Sequence, residues 1–136
     1  MATYDDLIHA VTNGKALPDL TGADLSSADL AGLPLTDANM PGANLRNADM
    51  RDTILRGANM HGVDAKAANL TRSELRNANL NDAKLRHADL GRVDLRGATL
   101  RGADLNDADL TSALYDCTTA WPDGVDPEAA GAIYVH

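Results

Sequence analysis

The chain has 136 residues, 44% of them hydrophobic but only 3% aromatic with no Phe, and a formal net charge of −8. That length suits one domain, and its core must be aliphatic. No apolar run approaches the roughly 20 residues of a membrane helix, and the single cysteine, Cys117, has no intrachain partner for a disulfide.

The first 17 residues predict a helical cap. Thr3 reads as an N-cap, Asp5 and Asp6 suit the first turn, and Leu7, Ile8, Ala10 and Val11 form an apolar face before Asn13-Gly14 ends the helix. The expected helix spans residues 3–13. Acids also stand where a secretory leader would carry bases followed by an apolar run, so a cytoplasmic location is expected.

From Leu20 onward every fifth residue is apolar without interruption. The positions are Leu20, Leu25, Leu30, Leu35, Met40, Leu45, Met50, Leu55, Met60, Ala65, Leu70, Leu75, Leu80, Leu85, Leu90, Leu95, Leu100, Leu105 and Leu110. Neither a helix nor a strand gathers a five-residue period on one face. The neighbours of these nineteen sites explain the period. Two residues before a site, thirteen are Ala; immediately before it, fourteen are Asp or Asn; two residues after it, fifteen are Gly, Asn, Asp or Ser. Alternation in Ala-Asp-Leu turns Ala and Leu inward and the polar residue outward. The next two residues are of the types that turn corners. A corner every five residues winds the chain into a coil, and stacked coils pair their backbones and align the leucines in interior columns.

This repeat resembles the pentapeptide-repeat proteins over about residues 18–116. The resemblance implies an all-β solenoid, a right-handed quadrilateral β-helix with four repeats per coil. About five coils would then make a rod about 24 Å tall at the usual spacing of paired strands. Residues 117–136 follow as an irregular C-terminal cap or a dimerisation tail. They and the preceding corner supply the candidate contacts Leu114, Tyr115, Trp121, Ile133 and Tyr134, with a short helix expected to open at Asp126-Pro127. Ala65 falls between Leu45 and Leu85 in one column and leaves a gap, which reads as a locally repacked core with Val63 filling part of the space or, alternatively, as a ligand pocket or a bend.

Candidate chemistry is sparse. His9, His61, His87 and His136 have no ligand spacing, so no metal site is expected. Asp89, Asp94 and Asp104 occupy outward repeat positions suited to turn bonding, and Ser26, Ser27, Ser73 and Ser112 lack an accompanying base. Cys117 reads as a bland thiol, and the glycines serve corners rather than a phosphate loop. Neither an enzyme nor a cofactor is expected.

Charge is the informative surface feature. Residues 1–45 carry six acids and one base, residues 46–101 seven acids and eleven bases, and residues 102–136 seven acids and no base. With four repeats per coil, Arg46, Lys66 and Arg86 stack in one outward ridge and Arg56, Arg76 and Arg96 in another. Asp64, Glu74 and Asp94 are close enough to balance them, and an acidic partner protein is the other reading of the ridges. Acidic ends and a belt without aromatics argue against direct binding of nucleic acid.

The leading expectation is therefore a non-catalytic scaffold or protein-binding module in a bacterial cytoplasm, monomeric or dimeric through a capped end. The resemblance also raises an alternative, a DNA-mimicking inhibitor or protector of DNA gyrase or a related topoisomerase, of the quinolone-resistance type. The chain departs from that branch in lacking Phe at the repeat centres, in its modest length and in its basic middle.

Overall fold

The computed structural model describes residues 1–136. Its helix, α1 (Tyr4–Thr12), begins at a reciprocal cap. The Thr3 hydroxyl accepts from the Asp6 N–H at 3.2 Å, and the Asp6 carboxylate accepts from the Thr3 N–H at 2.8 Å. Asn13 closes the helix, and Gly14 follows with φ of 63°. Leu7 and Ala10 are buried, and Leu7 belongs to the core shared with the repeats. The Tyr4 hydroxyl donates to the Asp29 carbonyl at 3.0 Å.

The repeats build a four-sided solenoid. Residues twenty apart pair in parallel, as in the series Asp24, Asn44, Asp64, Lys84 and Asp104, so one turn takes twenty residues and each side one repeat. The Leu25 N–H donates to the Asn44 carbonyl at 2.8 Å, and the Asn44 N–H returns to the Ala23 carbonyl at 2.9 Å. Only three residues lie between successive corners. Pairing therefore takes the form of single bridges, and the regular strands are confined to β1 (Leu114–Tyr115) and β2 (Ile133–Tyr134).

Each corner has the same geometry. The residue three after a ladder site donates its N–H to the ladder residue's carbonyl, as Ala23 does to Leu20 at 3.0 Å. The residue two after the site has positive φ at all nineteen corners, between 56° and 75°. That combination is the signature of a type II turn. Twelve of those residues are not glycine, Arg72, His87 and Arg92 among them, so the stacked ladder imposes the left-handed conformation even on residues that disfavour it.

The polar residue before each site has a second role. In thirteen of the fourteen Asp or Asn cases its side-chain oxygen accepts the N–H two residues on, as Asp24 does from Ser26 at 3.1 Å. This Asx turn pins the corner, which explains the preference for these two residue types. Asn39 is the exception. The residue two on is Pro41, which has no N–H to give, so the Asn39 amide joins a vertical chain instead, donating to Asp19 at 3.1 Å and accepting from Asn59 at 3.2 Å.

Eighteen of the nineteen ladder residues are at most 3% exposed. Leu105 is only partly buried, because it faces an open end of the rod. Ala65 is wholly enclosed, and both cavities in the molecule lie far from it, among residues 101–130. The substitution Ala65→Leu is therefore expected to overpack its column and cost about 1–3 kcal/mol, checked by urea denaturation. A gain in stability would reveal unfilled space. Nearby, the buried Thr53 hydroxyl donates to the Leu30 carbonyl at 3.0 Å, whereas the buried Ser73 hydroxyl has no partner. The variant Ser73→Ala should accordingly gain about 1 kcal/mol by removing an unpaired polar group.

Past Leu110 the register changes by one residue. Thr99 pairs with Ala120, twenty-one residues on, and the Leu100 N–H donates to the Ala120 carbonyl at 2.7 Å. The extra residue is taken up at the corner around Cys117. There the Asp116 carboxylate accepts from the Gly97 N–H at 3.3 Å, standing in for the carbonyl a regular coil would offer. Trp121 thus ends the column of Leu20, Met40, Met60, Leu80 and Leu100. β2 pairs in parallel on β1, placing Tyr134 on Tyr115 at the end of the Leu95 column. The three aromatic rings meet edge to face, Tyr115 with Trp121 at 5.5 Å and with Tyr134 at 5.4 Å between centroids.

One expectation for this segment fails. No helix opens at Asp126-Pro127; residues 127–131 form a turn, in which the Ala130 N–H donates to the Asp126 carbonyl and the Ala132 N–H to the Pro127 carbonyl. Gly131, at φ of 93°, breaks the run and returns the chain to the wall at β2.

Candidate functional site

Bridges from Ile54 to Glu74 to Asp94 stack Arg56, Arg76 and Arg96 along one side of the rod. Those from Asn44 to Asp64 to Lys84 stack Arg46, Lys66 and Arg86 on the side two corners away. Five of these six cations meet an acid of the rod. Arg46 lies 2.5 Å from Asp64, Arg56 2.9 Å from Glu74 and Arg86 3.7 Å from Asp104. Asp94 is shared, at 2.7 Å from Arg96 and 3.9 Å from Arg76. Lys66 is the member with no acid within 4.0 Å, the limit for an ion pair.

These pairs contribute little to stability, since most of the cations are half exposed and water screens the attraction. Their effect is on the surface. An arginine engaged through Nε with an acid of the next coil is held upright, and its remaining N–H groups still face solvent. Each ridge is a fixed row of donors whose positive field is partly cancelled by its own acids.

The sides between the ridges carry cations that the ridge pattern alone did not single out. Arg51 pairs with Asp49 at 2.7 Å, and Arg72 with Asp52 at 3.0 Å. The signal for Arg72 was the acid one coil below it, visible once residues twenty apart are compared, whereas Arg51 takes the acid two residues before it in its own coil. The histidines stand apart, His9 on α1, His61 and His87 at corners and His136 at the terminus, each exposed or partly so. His61 lies 3.9 Å from Asp82, and His87 3.8 Å from Asp107.

Hydrogen bonds from the residue two on lower the pKa of several carboxylates. Asp19 and Asp24 lie below the ordinary carboxylate range because the side chains and then the backbones of Thr21 and Ser26 donate to them. The hydrogen bond from Arg51 does the same to Asp49, and that from Thr111 to Asp109. A depressed folded value stabilises the native state above the unfolded carboxylate value of about 3.9, and that stabilisation is lost as pH falls through the folded value. The thermal midpoint is thus expected to fall as pH drops from about 5 to about 3, read by calorimetry. A flat profile over that range would contradict the Asx geometry.

At the C-terminal end the candidate contacts divide. Tyr115 is buried, Leu114 and Trp121 are half-buried, and Ile133 and Tyr134 are 49% and 37% exposed. Beside them an open cavity of about 680 Å³ lies between Leu105 and Leu110 on one wall and Val125 and Ala129 on the other. This groove escaped the repeat pattern because its far wall lies beyond the last repeat. The seven acids and no base of residues 102–136 were its trace in the sequence.

The sequence model of pentapeptide repeats matches the chain in 8 copies, over residues 19–57, 35–72, 58–97 and 78–114. The chain belongs to the pentapeptide-repeat family, and the family fold, the right-handed quadrilateral β-helix, is the four-sided solenoid described above. Among solved structures it is similar to the pentapeptide repeat protein Rfr23 from the cyanobacterium Cyanothece 51142, at 34% identity and a TM-score of 0.58 over 79% of this chain and 67% of that one. It is also similar to alr5209, a pentapeptide repeat protein from Nostoc Pcc 7120, at 32% identity and a TM-score of 0.43 over 98% of this chain and 96% of that one. A third, QnrB1, a plasmid-mediated fluoroquinolone resistance protein, shares 15% identity with a TM-score of 0.53 over 85% of this chain and 79% of that one, a likeness of fold alone. No curated protein matches the sequence. No helix is long and apolar enough to cross a membrane.

Proposed function

We propose that the protein is a non-catalytic binding module of a bacterial cytoplasm, a rigid rod that presents fixed rows of side chains to a partner protein. In this reading residues 1–17 form an N-terminal cap, residues 18–116 a β-helix of about five coils at about 4.8 Å per coil, and residues 117–136 a C-terminal cap. The observation that carries it is the regularity of the surface. Every corner is pinned by a backbone turn and thirteen of the nineteen repeats also by an Asx bond, so outward side chains keep one spacing along the rod. Such a surface recognises a partner with little ordering cost on its own side.

The recognition surface is assigned to Arg46, Lys66 and Arg86 on one side and Arg56, Arg76 and Arg96 on the other, with Arg76 central. Its natural partner is an acidic protein face, which would compete for the donors that the internal pairs leave free. The test reverses three charges at once. If R56E/R76E/R96E binds a captured partner as well as the wild type does, the ridge centred on Arg76 is not the docking surface.

A second reading is a DNA mimic directed at DNA gyrase or a related topoisomerase. It is favoured by the net charge of −8 and by the internal pairing of the belt arginines, which reduces the positive field of the middle. Gyrase supercoiling titrated with the purified protein, with and without a fluoroquinolone, decides between them. Inhibition or drug protection at micromolar protein selects the mimic, and no effect leaves the scaffold.

A further inference from the structure

At the C-terminal end two of the four sides continue, Asp94 through Leu114 to Ile133, and Thr99 to Ala120. The other two stop, at the bridges from Lys84 to Asp104 and from Asp89 to Asp109. The cause is local. After Trp121 the chain enters Pro122, which has no N–H to give a ladder, and residues 122–131 arc away from the wall before returning at β2.

The open sides carry unused backbone groups in ladder geometry. One coil below, Leu85, His87 and Leu90 donate their N–H groups to Asp104, Asn106 and Asp109 at 2.9, 3.2 and 2.7 Å. The equivalent N–H groups of Leu105, Asp107 and Leu110 meet no acceptor in the chain, and neither do the carbonyls of Ala103 and Ala108 meet a donor. The groove of about 680 Å³ lies directly against this edge. Its floor holds Leu105, the one leucine of the ladder left partly exposed, together with Leu110.

We infer that this end accepts an extended segment of a partner protein that supplies the missing rung, with apolar side chains entering the groove at Leu105 and Leu110 and basic side chains meeting its rim. An exposed ladder edge is recognised by main-chain pairing, and the pockets beside it read alternate side chains. Charge selects the occupant. Asp104, Asp123 and Asp126 line the groove, and residues 102–136 hold seven acids and no base. A second copy offering the same end would bring acid against acid. A copy offering its other end would bring residues 1–45, with six acids and one base. Lys or Arg between apolar residues complements the rim and is rejected by neither wall. The groove borders one ridge, since Asp104 in its lining pairs with Arg86 at 3.7 Å, but it shares no residue with the row of Arg56, Arg76 and Arg96. Failure of that row as a docking surface therefore leaves the groove standing, and the groove's own failure leaves that row untouched.

The probe is the peptide acetyl-Lys-Val-Lys-Leu-Lys-Val-Lys-amide, added to the full chain, with its Glu-for-Lys counterpart and a Pro-interrupted version as controls. Binding is read from the fluorescence of Trp121, the single tryptophan, which stands beside the groove. Amide exchange is followed at Leu105, Asp107 and Leu110. The expected result is binding of the Lys peptide alone, slowed exchange at those three amides with Leu85 and Leu90 unchanged, and about tenfold weaker binding to Asp123→Lys. No slowing at the three amides, equal binding of the Pro-interrupted peptide, or closure of the groove by self-association in light scattering would each overturn the inference. The ridge variant R56E/R76E/R96E should bind the peptide as the wild type does.

Discussion

Replacing Leu70 with alanine is expected to cost about 3–5 kcal/mol, and replacing it with aspartate to remove the cooperative thermal transition. Leu70 is wholly buried in the middle of its column, between Met50 and Leu90. The walls cannot collapse onto the void, because the Leu70 N–H donates to the Asp89 carbonyl at 2.8 Å and the corner above it is fixed by the Ser73 N–H donating to Leu70 at 2.9 Å. A site that cannot relax bears the full cavity term. An ionised carboxylate at the same place would meet no donor in an aliphatic interior. Urea denaturation gives the alanine value, and a loss below about 1 kcal/mol would mean that the coils close up around the gap.

Deleting residues 117–136 is expected to be strongly destabilising, because it removes the half-buried Trp121 ring and the whole of β2 together. The deletion strips the bridge from Thr99 to Ala120, the pairing of β2 on β1, and both rings packed against Tyr115. Leu100, now buried, would face water at the head of its column, and Tyr115, which covers Leu95, would lose both rings that pack on it. A shortened protein that stays a monomer with an unchanged thermal midpoint would sink both the capping and the dimerisation reading of this segment. Light scattering beside a thermal melt distinguishes a soluble monomer from an aggregate formed through the uncovered end.

The walls were legible in the sequence because each of their positions answers to one strong local requirement. An inward apolar residue and a left-handed residue after it recur at all nineteen sites without insertion, with Asp or Asn before fourteen of them, so one repeat largely predicts the next. The C-terminal segment was less legible for the converse reason. A single added residue near Cys117 moves Trp121 into the place its column requires, and only the bridge from Thr99 to Ala120 reveals the slip. Pro127 and the alanines after it have helical character, but the chain must return to Leu114 within a few residues, and tertiary pairing outweighs that propensity. The ridges fall between these cases. Their rows follow from the period, whereas the pairing of Asp94 with both Arg76 and Arg96 depends on side-chain reach that spacing does not fix.

The twenty-residue turn makes the rod an angular scale as well as a linear one. Inserting a whole coil, for example after Leu70, would lengthen the molecule and keep every side in line. Inserting a single repeat of five would satisfy the same corner and the same hydrogen bonds, yet it would swing everything downstream by a quarter turn relative to α1. Repeat number in such a chain therefore sets a bearing, the compass direction in which the distal end points, and duplication of five codons' worth of sequence is enough to change it.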